Sequence, residues 1–272
     1  MESKRKKFLY GIFAIILALT IFFSVLYSLY WSTLIVTIFG SEGLWIGVIA
    51  IILRVLILGI MSFFLFRKWL RQEAIYISDA YFLFGSFFGV LTCAKIYDLF
   101  FNLVVVSGAF STEFGLLLAK IRFFIIIVNL IPILYIGLDA ILVYINMNKN
   151  KEMSKKQFNK LRLRIMFGFA LVTALVIVVA PTLNFLNLVF PLITMLVYIA
   201  IAFMFLFMYK NKRLVQANGL IIGIAFLCFL VSNLIRTILV NTNLSYGIFA
   251  ELIDIGVNLF MFYGFISKPK YA

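Results

Sequence analysis

Long apolar runs broken by short polar connections set the rhythm of this chain. The runs cover about residues 8–31, 43–66, 79–105, 115–146, 165–183, 188–209, 219–240 and 247–267. Each reaches the roughly 20 residues that a helix needs to cross about 30 Å of hydrocarbon, the fifth only just. The third and fourth exceed that length, which predicts that they tilt or project. Residues 165–209 are too long for one span and are divided where Pro181 and Pro191 bracket "TLNFLNLVF", a tight hairpin between the fifth and sixth helices. The pattern therefore predicts an all-α polytopic membrane protein. Its eight transmembrane helices form one integral membrane domain over residues 1–272. The start, "MESKRKKFLYGIFAIILALTIFF", has the charge order of a secretory signal. Its apolar run far exceeds the roughly 7–15 residues of a signal core and lacks a small-x-small cleavage site, so it reads as an uncleaved first helix.

Composition supports the same class. The chain is 65% hydrophobic and 12% charged, with mean hydropathy +1.16, and one soluble core of this size cannot hide that much apolar surface. A net charge of +14 would suggest nucleic acid in a soluble protein. Here it suggests topology, and no nucleic-acid partner is expected. Lys and Arg gather at the N-terminus, at Arg67–Arg71, in "NKNKEMSKKQFNKLRLR" (148–164), at Lys210–Arg213 and at Lys268 and Lys270. The alternate connections, around 40–43, 107–114, 183–188 and 241–246, carry none. That alternation predicts a multi-pass protein of the cell membrane with both termini cytoplasmic. The bilayer is its first partner, and the basic 148–164 loop is a candidate contact for anionic lipid.

Smaller features change this picture little. Trp31, Trp45 and Trp69 fall near expected interfaces. Cys93 and Cys228 lie in apolar runs and imply no disulfide framework. The "NLS" sequon at 243–245 sits on a short outer connection and is expected to go unused. "GLWIG" (43–47), "GSFFG" (85–89) and "GLIIG" (219–223) are GxxxG matches that predict close helix packing. Gly47 shares a face with Arg54, so that face is expected to meet a neighbour. Thr20, Ser24, Ser28 and Ser32 form a hydroxyl ladder, also expected to pack, and Pro132 should kink the fourth span.

The chemistry lies in charges within the spans. In "LLLAKIRFFIII" (116–127), Lys120 and Arg122 stand among apolar neighbours, where a basic side chain costs roughly 2.5–3.5 kcal/mol at a helix centre and less near an end. At 100° per residue they point about 160° apart. Lys120 is expected to snorkel to the outer interface, whereas Arg122 shares a face with Asn129. In the third span Thr92, Lys95, Asp98 and Asn102 fall on one side, and Lys95 and Asp98 can pair at i, i+3. In the seventh, Asn233, Arg236 and Thr237 group together; in the eighth, Glu251, Asp254 and Asn258 do. Arg54 is central in the second span. Glu251 and Asp254 have no basic residue on their own helix, so their counter-charges are expected on another. Asp139 falls in the inner half of the fourth span.

Histidine is absent, which excludes His-based zinc hydrolases and Ser-His or Cys-His nucleophile pairs. "KIYD", ending in Asp98, and "IGLD", ending in Asp139, resemble half of the intramembrane aspartyl protease pattern. The GxGD element is incomplete, and the two acids fall on opposite sides of the midplane, so they cannot share a proton. No metal site or cofactor is expected, and a non-enzymatic role is favoured over an enzymatic one. The favoured expectation is a transporter-like protein binding a small anionic or zwitterionic solute or ion in an outward-opening polar cavity. Arg54, Lys95, Asp98, Arg122, Asn129, Arg236, Glu251 and Asp254 would line it. The alternatives are a membrane sensor or receptor signalling to a separate cytoplasmic partner, a lipid-modifying enzyme using Glu251 and Asp254, and a structural ion-pair network.

Overall fold

The computed structural model describes residues 2–40, 43–147, 154–212, 214–242 and 247–271. Among these the chain forms α1 (Glu2–Leu29), α2 (Trp31–Gly40), α3 (Leu44–Leu70), α4 (Ala80–Ser107), α5 (Thr112–Met147), α6 (Lys155–Val179), α7 (Leu183–Lys210), α8 (Gly219–Thr242) and α9 (Gly247–Ile266). All except α2 are long and apolar enough to cross a bilayer. This is an integral, multi-pass, all-α membrane protein. The sequon at 243–245, residues 148–153 of the basic loop, and the side chains of Asp139 and Thr237 lie outside what is described.

Three boundaries differ from the sequence expectation. The run after the first span is not a simple connection but includes α2, a short apolar helix that buries Leu34 and Thr37. The fifth span begins ten residues early, because Ser154 and Gln157 form a capping box that starts α6 within the basic segment. The bend between α6 and α7 shrinks to residues 180–182. Thr182 caps α7 through Phe185 N at 3.2 Å, and Pro191 lies inside the helix. Pro132 likewise lies inside α5.

The chain divides into two compact units, Met1–Arg122 and Phe123–Ala272. In the first, α3 and α4 pack closely because α4 presents glycines to α3. A Cβ on Gly85 would stand 3.3 Å from the Phe66 ring, and one on Gly89 would stand 3.0 Å from Ser62 Oγ. Ser62 Oγ donates to the Gly85 carbonyl at 2.8 Å, adding a polar tie where the backbones approach. Trp69, near the end of α3, is fully buried among Phe8, Phe66 and Phe82, and its indole donates to Tyr76 O. Helix α1 attaches through Tyr27, whose hydroxyl donates to Ile96 O at 2.8 Å. Two packing expectations fail here. Nothing approaches the Gly47 position, and the hydroxyl ladder from Thr20 to Ser32 is exposed, Thr20 donating only to its own helix.

In the second unit α8 packs between α7 and α9. Gly219 and Gly223 let α8 meet α7: a Cβ on the first would lie 2.6 Å from Phe205 O, and one on the second 2.7 Å from Leu206 Cγ. Gly264 does the same for α9 against Ile222 of α8, and Asn218 N donates to Gly264 O at 2.8 Å. The part of α5 in this unit touches α7 through Phe123 and Phe190, whose ring centroids are 4.2 Å apart. Gly137 of α5 faces Met204 of α7.

Candidate functional site: two charged clusters

The first cluster joins α4 to the start of α5, within the first unit. Tyr97 donates its hydroxyl to Leu118 O at 3.0 Å, which fixes the register between the helices. One residue after Tyr97 comes Asp98, and one turn after Leu118 comes Arg122. The tie therefore sets the acid opposite the base. Arg122 Nε donates to Asp98 Oδ1 at 2.7 Å, and Lys95 Nζ lies 3.1 Å from Oδ2. The i, i+3 pair is present as the spacing predicts. The Arg122 guanidinium also lies over the Phe101 ring, 5.4 Å from its centroid. One carboxylate is thus shared by two cations. Asp98 is nine residues from the end of α4, about 14 Å along the helix and so near mid-depth in about 30 Å of hydrocarbon.

The second cluster joins α8 to α9, within the second unit. Arg236 holds both acids of α9: Nη1 meets Glu251 Oε1 at 2.6 Å, and Nη2 donates to Asp254 Oδ2. Ser232, one turn before Arg236, donates its hydroxyl to Asp254 Oδ1. Helical spacing explains the fit, since 232 and 236 share a face of α8 while 251 and 254 share a face of α9. Glu251, Asp254 and Ser232 are all buried. One guanidinium is thus shared by two carboxylates. Glu251 and Arg236 lie four and six residues from the α8–α9 connection, within about 6–9 Å of it along their helices.

Two groupings of the expected site residues form, each described within its own unit. Lys95, Asp98 and Arg122 form one, and Arg236, Glu251 and Asp254 form another. A counter-charge of the α9 acids is on another helix, as periodicity predicts, namely Arg236, and Arg122 pairs with Asp98. Arg54 is buried on α3, at 1% exposure, in the first unit. Asn129 is buried on α5 in the second unit, with no hydrogen-bond partner for Oδ1. Asn102, expected on the face of Asp98, is exposed. Lys120, expected at the interface, is half-buried.

Sequence reasoning left two polar residues of the α8–α9 hairpin off the list. Ser232 was legible as the residue one turn before Arg236. Asn258, one turn beyond Asp254, is 1% exposed, and neither its Oδ1 nor its Nδ2 has a hydrogen-bond partner. A third buried polar contact lies elsewhere in the second unit. Arg162, in the basic segment, stacks on the Tyr135 ring at 3.8 Å and donates to that residue's hydroxyl.

Comparison of the chain with protein-family models, with curated proteins and with solved structures finds no match in any of the three. The class, an integral multi-pass membrane protein, rests on the chain's own helices and their apolar length.

Proposed function

We propose that the protein is a transporter-like membrane protein that binds a small carboxylate-bearing solute at Lys95 and Arg122. Both termini and the basic connections would face the cytoplasm. The observation that carries this reading is the sharing of Asp98 by two cations, at 2.7 and 3.1 Å. Two bases gathered on one carboxylate within the spans make a polar group that a carboxylate-bearing solute could join. Arginine suits the role because its planar fork matches a carboxylate. Asp98 would orient both bases while tempering their combined charge. Arg122 retains 29% side-chain exposure, which supports access to it.

The test is ligand-dependent stabilisation of the purified full chain. Acetate and glycine serve as anionic and zwitterionic probes, with chloride balanced throughout. Stabilisation follows mass action, so a probe at 100 times its Kd should add about 2.7 kcal/mol, read as a rise in Tm. Arg122→Gln and Lys95→Gln should each remove the response, while Arg122→Lys should retain part of it. A wild-type chain indifferent to both probes, or an Arg122→Gln chain with the full response, would defeat the reading.

A further inference from the structure

We infer that the basic first turns of α6 bind the headgroup of an anionic phospholipid, whose acyl chains lie along the same side of the helix. The site belongs to the second unit and is independent of the solute reading.

The capping box at Ser154 puts "KKQFNKLRLR" (155–164) in helix rather than loop, and that stretch holds no acid. Lys156, Lys160 and Arg164 stand at i, i+4 and i+8, within about 80° of arc at 100° per residue, and all three are exposed. Among the described residues no ion pair reaches any of them. Arg162 points at least about 120° away from all three. It is buried, stacks on the Tyr135 ring and donates to Asn159 Oδ1 at 3.0 Å. That anchor sets the rotation of α6 about its own axis, and so turns the other three bases outward.

Length then fixes their surroundings. Residues 165–179 carry no charge and extend about 22 Å, against about 30 Å of hydrocarbon. A span this short draws its flanking residues to the membrane boundary, so Arg164 and Lys160 stand at headgroup level. Phosphate is the anion of that layer, and guanidinium and ammonium groups both bind it. One helical turn, about 6 Å, separates successive bases, so two of them can flank one headgroup. Leu163, Phe167 and Leu171 continue the same side of α6 and are likewise exposed. The stripe therefore passes from basic to apolar along the helix, as a phospholipid passes from phosphate to acyl chain. A small soluble anion would use the first part only.

The experiment places a local reporter on the stripe. The full chain, with Phe167 replaced by the photocrosslinker p-benzoylphenylalanine, is reconstituted in vesicles of equal parts dioleoylphosphatidylglycerol and dioleoylphosphatidylcholine. Mass spectrometry reads the ratio of the two lipids crosslinked. The anionic lipid should be enriched about tenfold or more, since each basic residue near an anionic lipid contributes about fivefold. Lys156→Gln, Lys160→Gln and Arg164→Gln together should return the ratio to that of the bulk, while Arg164→Lys should keep the enrichment. Lys212→Gln, Lys268→Gln and Lys270→Gln together remove the same charge from three other exposed positions and should leave it unchanged. If the α6 triple variant fails to fold, Lys160→Gln alone decides, with an expected drop of about fivefold. Three results would overturn the inference. They are a bulk ratio with the α6 bases intact, full enrichment without them, and an equal loss in the control triple variant, which would mean overall charge only.

Discussion

At the residue scale, what matters is how many partners each buried charge has. Asp98 is held by Lys95 and Arg122, so losing one base leaves the other in place. Arg236 is the cation that Glu251 and Asp254 share, so its loss weakens two pairs at once. Arg236→Gln should therefore cost about 3–5 kcal/mol, the usual penalty for stranding buried charge. Arg122→Gln should cost about 1.5–3 kcal/mol, the range for one hydrogen bond to a charged group. Denaturant-induced unfolding of the purified variants measures both, and equal losses would show that the clusters are not built as described. The grouping of Glu251 with Asp254, and of Lys95 with Asp98, was legible because helical periodicity is a local property. The partner of Arg122 was not, since it depends on the relative sliding of two helices. That register is set by Tyr97 and Leu118, a tie from a side chain to a backbone carbonyl that no hydropathy pattern records.

At the element scale, glycines decide which helices approach, and sequence alone does not rank them. All three GxxxG matches look equivalent in the chain, yet only "GSFFG" and "GLIIG" meet a neighbour. The difference is context: packing needs a facing surface as well as a missing side chain. Gly219→Ala would drive a Cβ against the Phe205 carbonyl oxygen, a backbone atom that cannot rotate away. Overpacking of this kind costs about 1–3 kcal/mol. Gly47→Ala, with nothing within 4 Å, should be silent or slightly stabilising through helix propensity, by at most about 1 kcal/mol. Thermal unfolding of the two variants side by side checks this. A silent Gly219→Ala would mean that α7 and α8 are not in close contact. The early start of α6 follows the same logic. Its first turns are basic, which hid them from a hydropathy reading, while the Ser154–Gln157 box that begins the helix was readable in "SKKQ".

On the scale of the whole molecule, the two units repeat one plan. In each, a glycine pair seats a helix against its predecessor: α4 on α3 in one, α8 on α7 in the other. Nine residues beyond the second glycine stands a polar side chain, Asp98 or Ser232, that bonds to a charged side chain on the helix that follows, Arg122 or Asp254. In the first hairpin one carboxylate meets two bases, and in the second one guanidinium meets two carboxylates. In an eight-span topology two hairpins four spans apart would enter the membrane from the same side. That orientation agrees with the alternation of basic and uncharged connections. The α4–α5 and α8–α9 connections should then both be external, and the start of α6 should be cytoplasmic. Single cysteines at Ala109 and Lys160, both exposed, test it after Cys93 and Cys228 are replaced by Ala. A membrane-impermeant maleimide applied to intact cells should label Ala109→Cys and reach Lys160→Cys only after permeabilisation. Labelling of both positions in intact cells would break the eight-span topology. The reverse pattern would invert the molecule.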